Sequence, residues 1–138
     1  MKKILVIGAG SWGTALANTL ACNNKNVFLW TEKQKVSDQI NKTKINKKYF
    51  KKILLHKNIT SIFGKIDPKL YSFIFYVLPA KAFDKFLKNY LINNQVINFI
   101  ICSKGLGEKG EFVSYLAKEN LRIKNLFILS FMMLLKIP

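Results

Sequence analysis

Ile4-Leu5-Val6-Ile7-Gly8-Ala9-Gly10-Ser11-Trp12-Gly13-Thr14-Ala15-Leu16-Ala17 is an apolar run that breaks into glycines and resumes at once as a helical pattern. It carries G-x-G-x-x-G in the setting that gives the motif meaning, a strand before it and a helix after it. Each glycine has its own task. Gly8 allows the tight turn out of the strand, Gly10 presents no side chain to a pyrophosphate, and Gly13 lets the helix pack closely on the strand. The N–H groups of the first helical turn and the helix dipole then face the phosphates. The competing reading is a glycine-rich β–α turn that binds nothing. The position directly after a Val/Ile strand counts against it.

Outward from this stretch, strands and helices alternate. Lys3–Ile7 reads as a strand buried on both faces of a parallel sheet, because its apolar character is unbroken. A helix over about Ser11–Asn23 places Leu16, Ala17, Leu20 and Ala21 on one stripe. Val27-Phe28-Leu29-Trp30 is the second strand, and Thr31 is placed to cap a helix with Glu32 in its first turn. Residues 41–58 are lysine-rich without a clean period and read as a long connection, of a kind that is often functional in a compact domain; the competing reading is a loop pinned by burial of the aromatics Tyr49 and Phe50. Ile59–Phe63 suggests a short strand and Tyr71–Leu78 a central one, closed by Pro79. A helix over Lys81–Leu91 carries Phe83, Phe86, Leu87 and Tyr90 as a core stripe. Gln95–Ile101 is a further buried strand, Glu111–Asn120 a helix and Leu126–Ser130 a last strand. The alternation demands a doubly wound parallel α/β sheet with right-handed crossovers.

Two residues outside the glycine turn stand out. Glu32 lies about 20 residues past the glycines, where a carboxylate accepts hydrogen bonds from the adenosine ribose of NAD. A carboxylate placed for the helix dipole fits the same position equally well. Lys33 and Lys35 in the same turn could neutralise the 2′-phosphate of NADP, so NAD and NADP both remain open. Lys104 follows the carboxyl end of a strand and precedes Gly105, where it can hold an anionic substrate or polarise a carbonyl. In so lysine-rich a chain, a solvated surface lysine is the competing reading.

Composition narrows the remaining classes. The chain has 138 residues, half of them hydrophobic, which suits one domain with a sizeable core. No apolar run approaches the roughly 18 residues of a membrane span, and no secretory signal is visible. Cys22 and Cys102 lie far apart and read as buried free thiols of a cytoplasmic protein. With His56 the only histidine, a histidine-based metal site is not expected. The formal charge of +16 raises the question of a polyanion partner. Arg122 is the only arginine, and the lysines are scattered through every segment, so no nucleic-acid partner is expected.

These motifs, in this order, resemble those of the N-terminal domain of bacterial NAD(P)-dependent glycerol-3-phosphate dehydrogenases, a Rossmann-type dinucleotide-binding domain. The opening G-A-G-S-W-G-T-A-L-A and Ser103-Lys104-Gly105-Leu106 are the specific matches. Val27-Phe28-Leu29-Trp30, Asn46-Lys47-Lys48-Tyr49-Phe50 and Val77-Leu78-Pro79-Ala80 support them. The resemblance implies that Gly8, Gly10, Ser11, Trp12, Gly13, Glu32, Lys33 and Tyr49 line the cofactor site. It implies that Lys104 touches both the nicotinamide end and the substrate. The implied reaction is hydride transfer between NAD(P)H and the dihydroxyacetone phosphate/glycerol 3-phosphate pair, which supplies the phospholipid backbone.

The sequence departs from that family in three places. Phe50-Lys51-Lys52-Ile53-Leu54-Leu55 replaces a Pro/Gly-containing turn. Glu32 stands where NADP-preferring members often have a basic residue, which leans towards NAD. After Ser130 the family continues into Gly-Pro and a helical domain bearing the acid/base lysine; Phe131–Pro138 is unrelated. The expectation is therefore a truncated fragment. Residues 1–130 form the dinucleotide-binding domain, 131–138 an apolar tail, and no catalytic residue lies in the chain. A stand-alone nucleotide-binding or regulatory module with polyanion affinity is the alternative.

Overall fold

Ile4–Ile7 (β1) lies at the middle of a six-stranded parallel sheet in the computed structural model, which describes residues 2–24 and 26–129. The other strands are β2 (Val27–Trp30), β3 (Ile59–Ile62), β4 (Phe73–Tyr76), β5 (Gln95–Ile101) and β6 (Arg122–Ile128). Their order across the sheet is β3-β2-β1-β4-β5-β6, and every neighbouring pair is parallel. The helices are α1 (Ser11–Ala21), α2 (Gln34–Thr43), α3 (Phe83–Tyr90) and α4 (Val113–Asn120). The chain winds outward from β1 to β3, then returns past β1 to β4. The strand order reverses there, which opens a crevice at the carboxyl ends of β1 and β4.

Alternate residues of β1 feed two separate cores, which is why the run has no polar face. Leu5 and Ile7 join Trp30, Ile74, Tyr76, Phe83 and Phe86 on one side of the sheet. Ile4 and Val6 join Ala17, Ala21, Val27, Leu29 and Ile59 on the other. Each large side chain so buried contributes roughly 1.5–3 kcal/mol of transfer free energy. The α1 stripe reaches this second core as the periodicity requires, with Leu20 half-buried against it.

Several element boundaries differ from the sequence reading, each for a local reason. Thr31 caps no helix; its N–H still extends the sheet, donating to Ile62 O at 2.9 Å. The helix after β2 starts at Gln34 with Lys33 as N-cap, so Glu32 lies in the preceding loop and outside the helix's first turn. Glu32 therefore stands just ahead of the N-cap, still beside the positive end of α2. The lysine-rich stretch is helical as far as Thr43, because Ile40 is fully buried and the lysines take the outer face. The helix stops at Lys44, which adopts the left-handed conformation at φ 54°. β6 begins four residues earlier than its hydropathy suggests, since Arg122 and Lys124 are exposed on an edge strand. Cys22 is exposed, and only Cys102 is the buried thiol expected of both. The proposed tail 131–138 and Ser130 lie outside the described residues.

Candidate dinucleotide-binding site

The glycine turn is built under tight steric limits. Gly8 has φ 120°, a left-handed value that side chains disfavour, and its N–H donates to Trp30 O at 3.1 Å. A Cβ on Gly13 would lie 1.8 Å from Gly8 O, so helix and turn touch backbone to backbone. A Cβ on Gly10 would meet no heavy atom within 4 Å. Gly10 is the N-cap of α1 and brings no side-chain acceptor to its first turn, which also holds no acidic residue. The turn therefore offers open space and a positive helix end at one place, the arrangement that suits a pyrophosphate.

Asn46 braces this turn from the loop between α2 and β3. It is 1% exposed, and its Nδ2 donates to Ala9 O and to Thr14 Oγ1, both at 2.9 Å. The amide, and not the aromatics, pins the loop: Tyr49 is 43% exposed and Phe50 only half-buried. Tyr49 sits in the turn that Asn46 starts, with its N–H donating to Asn46 O at 3.1 Å and the Lys48 ammonium over its ring.

Two hollows flank the carboxyl end of β4 and share Leu78 and Pro79 as a dividing wall. The larger, about 550 Å³, is also lined by Trp12, Val77, Cys102, Ser103 and Lys104. It is mostly apolar with one cation, and Ser103 Oγ is buried without a hydrogen-bond partner. Burial pushes the Cys102 thiol up to about 11, so it is neutral at ordinary pH. The smaller hollow, about 220 Å³, is lined by Trp30, Glu32, Ala82, Lys85, Phe86 and Tyr90. The dividing wall is held by Tyr76, whose hydroxyl donates to Pro79 O at 3.1 Å. A further hollow of about 480 Å³ beside Lys88, Asn93 and Asn120 opens at the opposite edge of the sheet, remote from the glycine turn.

A family model described as the NAD-dependent glycerol-3-phosphate dehydrogenase N-terminus matches residues 3–131. The chain belongs to that family. It is 34% identical over 128 residues to a glycerol-3-phosphate dehydrogenase (NAD(P)+) of Neorickettsia sennetsu, covering 91% of this chain and 38% of the relative. A Bacillus velezensis enzyme of the same name is 40% identical over 112 residues, covering 77% of this chain and 31% of the relative. Among solved structures, glycerol-3-phosphate dehydrogenase from Saccharomyces cerevisiae superimposes with a TM-score of 0.76 at 29% identity, covering 94% of this chain and 41% of that one. The chain thus spans between about a third and two fifths of the length of the relatives it matches.

The family's motifs converge at one edge of the fold. Gly8, Gly10, Ser11, Trp12 and Gly13 form the turn, and Trp12 and Lys104 meet in the larger hollow. Glu32 lies in the smaller one, with Lys33 exposed beside it at the start of α2. Sequence reasoning passed over Asn46, Ser103 and Tyr90. Asn46 and Ser103 stand inside the motifs quoted for Tyr49 and Lys104, so the signal was present but read for its neighbour. Helical spacing alone places Tyr90 in the core stripe, whereas its hydroxyl reaches Glu32 Oε1 at 3.0 Å. Among the described residues no group of three or more His, Cys, Asp or Glu is placed to hold a metal. No helix among them is long and apolar enough to cross a membrane.

Proposed function

We propose that this chain is the cofactor-binding part of a cytoplasmic glycerol-3-phosphate dehydrogenase. It takes NAD or NADP along the carboxyl edge of the sheet and serves the interconversion of dihydroxyacetone phosphate and glycerol 3-phosphate. The observation that carries this reading is the open Gly10 position over an uncapped α1, set between two hollows of unlike chemistry. The dinucleotide, when bound, supplies the hydride-carrying nicotinamide. The chain's own residues bind and orient. Gly10 and Ser11 open the start of α1 to the phosphates, and Gly8 and Gly13 set the turn. Glu32 accepts from the adenosine ribose on the β2 side, with Lys33 and Tyr49 at the rim. Trp12 walls the apolar hollow and limits water there. Lys104 supplies positive charge for a phosphate-bearing substrate or a carbonyl oxygen.

Titration with NADH, followed by cofactor fluorescence, tests the reading. Wild type should bind, and Gly10→Val should lose at least about tenfold in affinity, because a side chain would occupy the phosphate space. Equal affinities would mean that the glycine turn is structural only.

A further inference from the structure

The hollow on the β2 side contains a hydrogen-bonded pair of which the proposed function uses only one member, Glu32. Tyr90, the last residue of α3, donates its hydroxyl to Glu32 Oε1 at 3.0 Å across 58 positions of sequence. Its ring is fixed from behind. It stands edge-on to Trp30 with centroids 4.9 Å apart and lies 5.7 Å from Phe86. Trp30 is 1% exposed, and its Nε1 donates to Gly64 O at 2.9 Å. A buried, hydrogen-bonded indole thus sets the phenol ring, and the phenol takes one of the two acceptor oxygens of an exposed carboxylate. Burial and the adjoining Glu32 charge raise the Tyr90 hydroxyl above its ordinary value, so it remains a donor at neutral pH.

An exposed glutamate on its own discriminates poorly between cofactors. Its side chain turns away from an approaching anion at little cost, and Lys33 and Lys35, both exposed in the same segment, then face that anion instead. Tyr90 removes this freedom. We propose that Tyr90 is a specificity-determining positioning residue. Its hydroxyl pins the Glu32 carboxylate so that the site accepts a ribose with a free 2′-hydroxyl and repels one bearing a 2′-phosphate. The chain is therefore selective for NAD(H) over NADP(H). The free 2′-hydroxyl donates to the carboxylate oxygen that Tyr90 leaves, whereas a phosphate brings up to two negative charges against a carboxylate held in place. The inference rests on the dinucleotide reading given above.

Fluorescence titration of the full chain with NADH and with NADPH, at low ionic strength, tests it in three proteins: wild type, Tyr90→Phe and Glu32→Gln. Wild type is expected to bind NADH about tenfold or more tighter than NADPH. Tyr90→Phe keeps the ring packing and the thermal midpoint but narrows that ratio by roughly threefold, the scale of an exposed charge-assisted contact. Glu32→Gln, an exposed substitution that leaves the fold intact, narrows it further. An unchanged ratio in Tyr90→Phe overturns the role of Tyr90. Equal affinities in wild type, or a preference for NADPH, overturn the selectivity while leaving dinucleotide binding standing. Wild type that binds neither cofactor overturns the dinucleotide reading, and this inference with it.

Discussion

Gly10 and Gly13 lie three positions apart and answer to different constraints. Gly10 has extended backbone at φ −75° and empty space where a Cβ would go, so the fold tolerates a side chain there. Gly13 has the Gly8 carbonyl 1.8 Å from that position, and backbone does not yield cheaply. Urea denaturation is expected to leave Gly10→Val near wild type and to cost Gly13→Ala about 3 kcal/mol or more, the upper range for overpacking. Comparable losses in both would mean that the space at Gly10 belongs to the fold rather than to a ligand. Both glycines were legible in the sequence because the motif's meaning is steric. The fate of the two thiols was not legible, since spacing says nothing of exposure. Cys22 is exposed, whereas Cys102 is buried with its thiol raised from 9.0 to about 11. The folded value exceeds the unfolded one, so this contribution to stability is whole below pH 9 and is lost as pH climbs towards 11. At pH 8 a thiol reagent should modify one cysteine quickly and the second only in urea; two equally fast thiols would contradict the burial of Cys102.

At the scale of elements, apolar periodicity located the six strands, and the misjudged boundaries share a cause. Where a polar side chain sits in regular structure, hydropathy is silent. β6 hides behind Arg122 and Lys124, and α2 hides its last turn behind lysines on its outer face. The outer edge of β3 shows how such side chains are used. Asn41 of α2 donates through Nδ2 to Ser61 O at 2.9 Å and accepts from Ser61 N at 2.8 Å, in place of a neighbouring strand. The loop that follows α2 is likewise fastened by side-chain amides, those of Gln39, Asn18 and, at the glycine turn, Asn46. The two hydrogen bonds donated by Asn46 join the glycine turn to a segment 32 and 37 positions away in sequence. Asn46→Ala should cost about 1–3 kcal/mol, because the buried Thr14 hydroxyl and the half-buried Ala9 carbonyl lose their donor. Asn46→Asp should cost more, since it sets an acceptor against that carbonyl. Urea midpoints at constant m-value measure both, and a wild-type midpoint in Asn46→Ala would show that the loop is held by other contacts.

At the scale of the whole molecule, the candidate site is rich in binding groups and poor in chemistry. The larger hollow holds one cation, Lys104, and one free hydroxyl, Ser103; its thiol stays protonated at neutral pH. The single histidine, His56, lies in the loop against α1, where its backbone N–H donates to Asn18 Oδ1 at 2.7 Å and its Nδ1 accepts from the Asn58 backbone N–H. Hydride transfer needs donor and acceptor held in register, an effect that supplies about 7–11 kcal/mol of a barrier. A positioned acid or base adds ~10²–10⁴-fold. One lysine does not enclose a phosphate-bearing substrate, polarise its carbonyl and deliver a proton together. The relatives devote about 60% or more of their length to sequence that this chain does not match, since it covers 38% and 31% of them. The expected outcome is that the 138-residue chain binds NADH but shows no measurable NADH oxidation with dihydroxyacetone phosphate, followed by absorbance over hours. Adding a separately made C-terminal part of a relative is the arm in which activity should appear. Lys104→Met should abolish that restored turnover while leaving NADH affinity within a few-fold, as expected of a group that meets the reacting end of the site. Robust turnover by this chain alone would mean that Lys104 and Ser103 suffice for the chemistry, and that the hollow beside Trp12 is a complete active site.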